Sequence, residues 1–440
     1  MLAYHLRIAW KSLRRTPVLS ALLVAGIGLG IAVSTAFVAA YHVLAQDPIP
    51  HKSDRLFYVQ LDAWNPDRAW DDEDAQEPPD QLTYRDAMAM MEAKGPARRA
   101  AMHKANLTVH PAGADERPFR ALTRMTFGDF FPLFDVPFRY GGPWDAKADA
   151  RPEAVVVLDA ATNDRLFGGD DSVGRRVRIE DREFTVVGVL DEWFPRPKFY
   201  DPLNDSSETP EALYLPFRWT PELELRTAGN TSGWSNWGPT FQELLESEAI
   251  WIQFWAELPD AASRETFASY IEGYIGQQKA LGRFQRPLNY KLRDVPAWLE
   301  AQEVVPQSAR ILLIISLLFL LVCAVNLIGI LLGKFLARAP EVGVRRALGA
   351  SRGQVFLQHL IECQVVGSLG GLLGVVASLG VLRWLESLVR FGDEGPQYFI
   401  LTPEMVGAGL GLALLAGLVA GLYPAWRICR VVPAAHLKQQ

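Results

Sequence analysis

Four long runs without a charged residue constrain this chain more than any other feature. They cover residues 17–41, 311–333, 363–382 and 405–426. A hydrocarbon core about 30 Å thick needs roughly 20 apolar residues of α-helix, and each run reaches that length. The first run is longer than a signal-peptide core and lacks a small-residue cleavage site, so we expect it to be retained. The chain is therefore predicted to cross a membrane four times.

The charges divide the chain into two chemically different parts. Residues 47–303 hold 44 of the 50 acidic residues and 29 of the 44 lysines and arginines, a net charge of −15. The remaining residues hold 15 basic and 6 acidic side chains. The acidic middle part is polar enough to fold in water, whereas basic and apolar flanks are typical of membrane anchors.

Lysines and arginines near the helix ends predict the orientation. Such residues are retained on the cytoplasmic side of a membrane. Both termini and the connection between helices 2 and 3 are therefore expected inside, with the acidic part outside. The supporting residues are Arg7, Lys11, Arg14, Arg15, Lys334, Arg338, Arg345, Arg346, Arg352, Arg427, Arg430 and Lys438.

The predicted fold is a membrane protein with four transmembrane α-helices, one N-terminal and three C-terminal, and a large α+β extracytoplasmic domain inserted between helices 1 and 2. In that domain strand patterns occur at residues 56–61, 154–158, 176–179, 184–190 and 249–257, and helical spacing at residues 82–92 and 263–277. Residues 206–239 are rich in Pro, Gly, Ser and Thr and are expected to form long loops.

The predicted segments follow from these patterns. They are a cytoplasmic N-terminal segment (1–16), helix 1 (17–44), the outer domain (45–308), helix 2 (309–336), a cytoplasmic helix and loop (337–354), helix 3 (355–385), a short outer loop (386–403), helix 4 (404–426) and a cytoplasmic tail (427–440).

Several kinds of site are not indicated by the sequence. All three cysteines lie in or beside the membrane runs, so the outer domain has no thiol for a disulfide framework or a metal site. The seven histidines are scattered, and neither H-E-x-x-H nor the phosphate-binding G-x-x-x-x-G-K-[ST] occurs. We expect no cofactor, metal site or catalytic residue in this chain, and no nucleic-acid partner.

Four stretches carry the most specific patterns. Residues 47–59 read DPIPHKSDRLFYV, residues 166–174 read LFGGDDSVG within a longer motif at 154–190, residues 341–362 read EVGVRRALGASRGQVFLQHLIE, and residues 420–438 read AGLYPAWRICRVVPAAHLK. Together they resemble the MacB-type permeases, a family of ABC transporter subunits that also includes the lipoprotein-releasing and FtsX-like proteins. The resemblance covers nearly the whole chain.

The resemblance implies a function and a set of partners. It implies a permease subunit in the bacterial inner membrane that works with a separate ABC ATPase subunit, which binds the ATP, and with a second permease of the same or a homologous chain. Export would also involve a periplasmic adaptor protein and an outer-membrane channel. The alternative is an FtsX-like protein that transmits a mechanical signal to a periplasmic partner and moves no substrate.

The same resemblance marks one stretch as the contact with the ATPase, the coupling helix. Residues 341–349 place charged side chains beside apolar ones, as in an amphipathic cytoplasmic helix. Gly349 would end this helix. From chemistry alone, a basic helix here could equally hold the topology and contact anionic lipid headgroups. The residues assigned to ATPase coupling are Glu341, Val342, Gly343, Val344, Arg345, Arg346, Ala347, Leu348 and Gly349.

Three further features have two interpretations each. Four tryptophans expected on loops could form a partner surface or pack into the domain: Trp64, Trp70, Trp234 and Trp237. Glu362 and His359 near the start of helix 3 are interpreted as interfacial or bundle residues and not as a proton relay. The glycines of helices 1 and 3 permit close packing of helices, within the chain or across a dimer.

The topology gives the first testable prediction. Cysteine labelling should place residues 5, 345 and 436 inside and residues 120 and 393 outside, because the basic flanks fix the orientation. Finding residue 393 inside would remove helix 3 or helix 4, and with it the family resemblance.

Overall fold

The computed structural model describes residues 2–111, 117–206, 208–389 and 402–430. The chain divides into two compact units: Gln46–Val304, the outer domain, and Met1–Ala45 with Val305–Gln440, the membrane unit. The predicted outer loop around residue 393 and the end of the predicted tail lie outside the described residues.

The elements follow one another in a simple order along the chain. The helices are α1 (Leu2–Arg15), α2 (Pro17–Ala45), α3 (Tyr84–Met91), α4 (Phe130–Leu133), α5 (Ala146–Ala150), α6 (Ala160–Phe167), α7 (Pro202–Asp205), α8 (Trp219–Glu222), α9 (Phe241–Glu246), α10 (Ala261–Ala280), α11 (Val295–Ala301), α12 (Gln307–Leu336), α13 (Ala339–Ala347), α14 (Arg352–Val389) and α15 (Pro403–Cys429). The strands are β1 (Leu56–Leu61), β2 (Leu82–Thr83), β3 (Arg98–His110), β4 (Phe119–Thr126), β5 (Phe138–Gly141), β6 (Val155–Leu158), β7 (Arg176–Ile179), β8 (Arg182–Leu190), β9 (Leu213–Pro216), β10 (Ile250–Glu257) and β11 (Tyr290–Asp294).

The outer domain is built on one mixed sheet in the order β11-β1-β10-β3-β4-β9-β6-β8-β5, with β2 paired to β10 and β7 paired to β3 and β8. The pairs β4–β9 and β6–β8 are parallel. Side chains alternate across a strand, and in β1 Phe57 and Val59 enter one buried cluster while Leu56 and Tyr58 enter another. The sheet is therefore covered on both faces.

One prediction about the outer domain, the long loops at residues 206–239, is wrong. Residues 206–239 were expected to be loops, but they include β9, which lies between β4 and β6 in the sheet. The strand has only four residues and a proline at its end, so its sequence pattern is weak, and its pairing partners decide its conformation. Similarly, the predicted helix at residues 82–92 begins only at Tyr84, after β2.

The membrane unit confirms the predicted fold class. Its described residues contain four helices long and apolar enough to cross a membrane: Pro17–Ala45, Gln307–Leu336, Arg352–Leu385 and Pro403–Cys429. One is N-terminal and three are C-terminal, and the α+β domain is inserted between the first and the second. The amphipathic helix α1 precedes the first of them.

Small residues bring α2, α14 and α15 into close contact within the chain. A Cβ atom on Gly374 would lie 2.7 Å from the carbonyl oxygen of Gly28, and one on Gly421 would lie 2.6 Å from the Cβ of Cys363. Contacts this short are open only to glycine. The glycine-rich runs of helices 1 and 3 thus pack inside one bundle.

Gly374→Ala should destabilise the membrane unit, because the new methyl group would overlap Gly28 and Ile31 of α2. Overpacking of this kind costs about 1–3 kcal/mol. Thermal unfolding of the full chain in detergent measures the loss. Gly380→Ala is the matched control, since the same helix has open space around its Cβ. Equal unfolding temperatures for the two variants would contradict the close contact.

Candidate functional site

Helix α13 lies between two membrane spans and carries most of the residues assigned to coupling. Pro340 lies in its first turn, Glu341 complements the positive end of the helix dipole, and Arg345 and Arg346 complement the negative end. The helix ends with Leu348 as the C-cap. This stretch forms a regular, capped helix and not an irregular loop.

Gly349 terminates α13 by its backbone conformation. Its φ is +104°, in the region that favours glycine. The Gly349 N–H donates to the Arg346 carbonyl at 3.2 Å, and the Ala350 N–H donates to the Arg345 carbonyl at 3.0 Å. This pair of hydrogen bonds is the Schellman motif, which satisfies the last carbonyl groups of a helix.

The two sides of α13 differ in burial. Ala339, Val342 and Gly343 are buried against the bundle. On the other side Val344 is 49% exposed and Leu348 is 83% exposed, and Glu341 and Ala347 are exposed as well. An exposed apolar leucine at the end of a charged helix is available for a contact with another molecule.

The two arginines have partners inside the chain. The Arg345 guanidinium donates to the Glu341 carboxylate at 3.0 Å and to the Gln358 side chain at 3.2 Å. Arg346 donates to the Cys429 carbonyl at 3.2 Å, and both arginines are half-buried. They therefore hold α13 against α14 and α15, and the freely exposed side of the helix is mainly apolar.

A cluster of buried charges lies beside the start of α13. Glu362, 2% exposed, is 2.7 Å from the ammonium of Lys334, 4% exposed, and 3.7 Å from the guanidinium of Arg338. The Ser12 hydroxyl donates to Glu362 and accepts from Arg338. These four residues, called the Glu362 cluster below, join α1, α12 and α14, and Arg338 is the N-cap of α13.

His359 lies next to this cluster but has a different environment. Its Nδ1 is 2.9 Å from the Val355 carbonyl, and its ring meets the Phe335 ring edge-on at 4.5 Å. Both His359 and Glu362 are buried in the bundle, one of the two locations that the sequence left open.

Sequence reasoning missed the partners of Glu362. The available signal was the cost of a carboxylate inside a membrane bundle, which predicts a basic partner on a neighbouring helix. Lys334 directly follows the uncharged run of helix 2 and fits that description. Ser12 could not be found this way, since it is 350 residues distant in the chain.

The outer domain has its own buried polar network. Arg124 of β4 is fully buried and pairs with Asp201 at 2.6 Å, and with Glu211. Lys198 lies 2.9 Å from Glu211. Burial alone would raise the pKa of Glu211, but the charges of Arg124 and Lys198 hold that pKa well below its usual range. The network ties the segment around Lys198 and Asp201 to the sheet and has a structural role.

The tryptophans of the outer domain differ in burial. Trp251, Trp255 and Trp298 are fully buried. Trp64 and Trp70 are partly exposed, with ring centroids 4.7 Å apart and planes at 86°. Trp234 is 38% exposed and donates to the Ala63 carbonyl at 3.4 Å, and Trp237 is partly buried. A partner surface at these loops stays a prediction.

No metal centre was found in the part of the chain that the structure describes: no group of three or more His, Cys, Asp or Glu could hold an ion there. The site is thus a helix with an exposed apolar side, anchored by buried charges. Such an arrangement can transmit a displacement, because each neighbouring helix is joined to it by a specific contact.

Family models match both units of the chain. The MacB-like periplasmic core domain matches residues 20–274, and the FtsX-like permease C-terminal region matches residues 313–433. The chain belongs to the MacB-like family of ABC transporter permeases. It is accordingly a multi-pass membrane protein with a periplasmic-type domain, and α13 lies within the FtsX-like region.

Individual MacB-like relatives are distant. The macrolide export ATP-binding/permease protein MacB of Azoarcus sp. (strain BH72) is 25% identical over 438 residues, 99% of this chain, which spans 59% of that relative's length. The ABC transporter permease YvrN of Bacillus subtilis (strain 168) is 24% identical over 314 residues, 71% of this chain and 68% of YvrN. The crystal structure of the periplasmic region of MacB from Actinobacillus actinomycetemcomitans matches with a TM-score of 0.36 and 13% identity, covering 58% of this chain and 95% of that one.

Proposed function

We propose that this chain couples ATP hydrolysis on a separate ABC ATPase subunit to movement of its outer domain, and that this movement drives export or efflux. The observation that carries the proposal is the exposed apolar side of α13, which includes Val344 and, at the C-terminal end, Leu348. Covering exposed apolar side chains with a partner removes them from water and so favours association.

The Glu362 cluster supports the transmission step. Arg338 is the N-cap of α13 and contacts Ser12 of α1, while Glu362 of α14 pairs with Lys334 of α12. Separating a buried ion pair leaves an uncompensated charge, which costs about 3–5 kcal/mol. A displacement of α13 would therefore move the ends of α1, α12 and α14 with it.

The proposed assembly follows the family. The Azoarcus relative is named as a macrolide export ATP-binding/permease protein. We propose that an ATPase subunit binds ATP and contacts α13, that a second permease completes the complex, and that an adaptor and an outer-membrane channel meet the outer domain. The location proposed for the chain is the bacterial inner membrane, with the outer domain in the periplasm.

A second candidate function uses the same coupling step. The match of residues 313–433 to the FtsX-like region is equally compatible with mechanotransmission, in which the outer domain activates a periplasmic partner and no substrate moves. The partly exposed Trp64, Trp70 and Trp234 would then contact that partner. Co-purification with an adaptor supports export, whereas co-purification with a cell-wall hydrolase supports signalling.

Leu348→Asp should weaken recruitment of the ATPase, because a charge would replace the most exposed apolar side chain of α13. Loss of one interface anchor lowers affinity by at least about tenfold, or about 1.4 kcal/mol. The amount of ATPase that co-purifies with the tagged chain in mild detergent measures the effect. Membrane insertion should be unchanged, since Leu348 packs little within the chain.

Leu281→Asp is the matched control for this experiment. Leu281 is 77% exposed and is also a helix C-cap, at the end of α10 in the outer domain. It should leave the ATPase bound at the wild-type level. Wild-type recruitment by the Leu348→Asp chain would mean that α13 contacts lipid or only holds the topology.

A further inference from the structure

A pocket of about 210 Å³ opens between α1, α13 and α14 in the membrane unit. It lies at the end of the bundle where α1 passes into the first span at Pro17. Its polar lining is richer in positive than in negative groups. The lysine, arginine and glutamate residues that line the pocket are Lys11, Arg15, Arg338, Arg345, Glu341 and Glu362.

The two carboxylates of the pocket are already neutralised. Glu362 pairs with Lys334 from behind the pocket and with Arg338, and Glu341 pairs with Arg345. Their charges are therefore offset within the chain. Any anion that enters would be attracted by the remaining cations, and the local carboxylates would not repel it strongly.

Lys11 and Arg15 supply the uncompensated charge. They are one helical turn apart and so share a face of α1. Both are exposed, and neither side chain forms an ion pair or a hydrogen bond with another described residue. Two unpaired cations that line the same pocket form a favourable environment for a phosphate oxygen.

The position of the pocket relative to the first span matches the level of a membrane interface. Arg15 precedes the first span by two residues, so the pocket is at the level where a transmembrane helix leaves the hydrocarbon. α1 is amphipathic, with Ala9 and Leu13 buried and Trp10 48% exposed. Amphipathic basic helices with an exposed tryptophan lie in the headgroup layer.

We propose that this pocket binds a phosphate group, with Lys11 and Arg15 as its principal ligands. The phosphate is supplied by the headgroup of an anionic phospholipid in the adjoining leaflet or by soluble phosphate. A bound phosphate would lie between α1 and α13, since residues of both helices line the pocket. The site goes beyond ATPase coupling, because its ligand residues on α1 are separate from the exposed Val344 and Leu348.

Native mass spectrometry of the full chain in detergent tests the proposal. The purified chain is titrated with phosphatidylglycerol or with phosphatidylcholine, and the bound lipid is measured. In a separate experiment, the effect of inorganic phosphate on the thermal unfolding temperature of the chain is recorded. Each basic residue near an anionic lipid contributes about fivefold to binding, so Lys11→Ala with Arg15→Ala should lower phosphatidylglycerol retention roughly thirtyfold. Phosphatidylcholine should be retained weakly by every variant.

The control is Arg7→Ala with Arg14→Ala. It removes the same charge from the same helix, at exposed positions that do not line the pocket. Loss of phosphatidylglycerol in the Lys11/Arg15 variant alone supports the site and identifies a lipid as the source. If lipid retention is unchanged and only the Lys11/Arg15 variant loses the stabilisation by inorganic phosphate, the site is supported and soluble phosphate is its source. Equal behaviour of the two double variants in both arms would overturn the proposal.

Discussion

The buried pair of Glu362 and Lys334 is the interaction on which the arrangement of the membrane unit depends. A carboxylate that is 2% exposed must be compensated, and the compensation comes from three other elements. Because removal of one partner would leave a charge in a low-dielectric environment, these contacts specify where the ends of the helices meet. Arg338, a member of the cluster, is the N-cap of helix α13, so the position of that helix is specified too.

The outer domain also uses buried charges to fix the position of one part of the chain. Its sheet is covered on both faces, and a long connection between β8 and β9 must be held against it. The buried charges of Arg124, Asp201 and Glu211 make that attachment specific, where apolar packing alone would tolerate several positions. In both units, buried charges occur where separate stretches of chain meet, and apolar contacts supply the bulk of the packing.

The sequence predicted what depends on local pattern and missed what depends on distant contacts. The four spans follow from the length of the uncharged runs, and the end of α13 follows from Gly349. β9 was missed because its four residues become a strand only between β4 and β6. The partners of Glu362 and the internal contacts of Arg345 and Arg346 were missed for the same reason, and the exposed apolar side of α13 appears only once those contacts are known.

The proposed function requires the exposed side of α13 to contact an ATPase subunit. Site-specific photo-crosslinking in cells can detect this contact, with the photoreactive residue at position 348 and, as a control, at position 414. Leu414 is 49% exposed on the apolar span Pro403–Cys429, where lipid contact is expected. We predict a crosslinked ATPase for position 348 and none for position 414. A crosslink to lipid alone at position 348 would show that this side of α13 faces the membrane and not an ATPase.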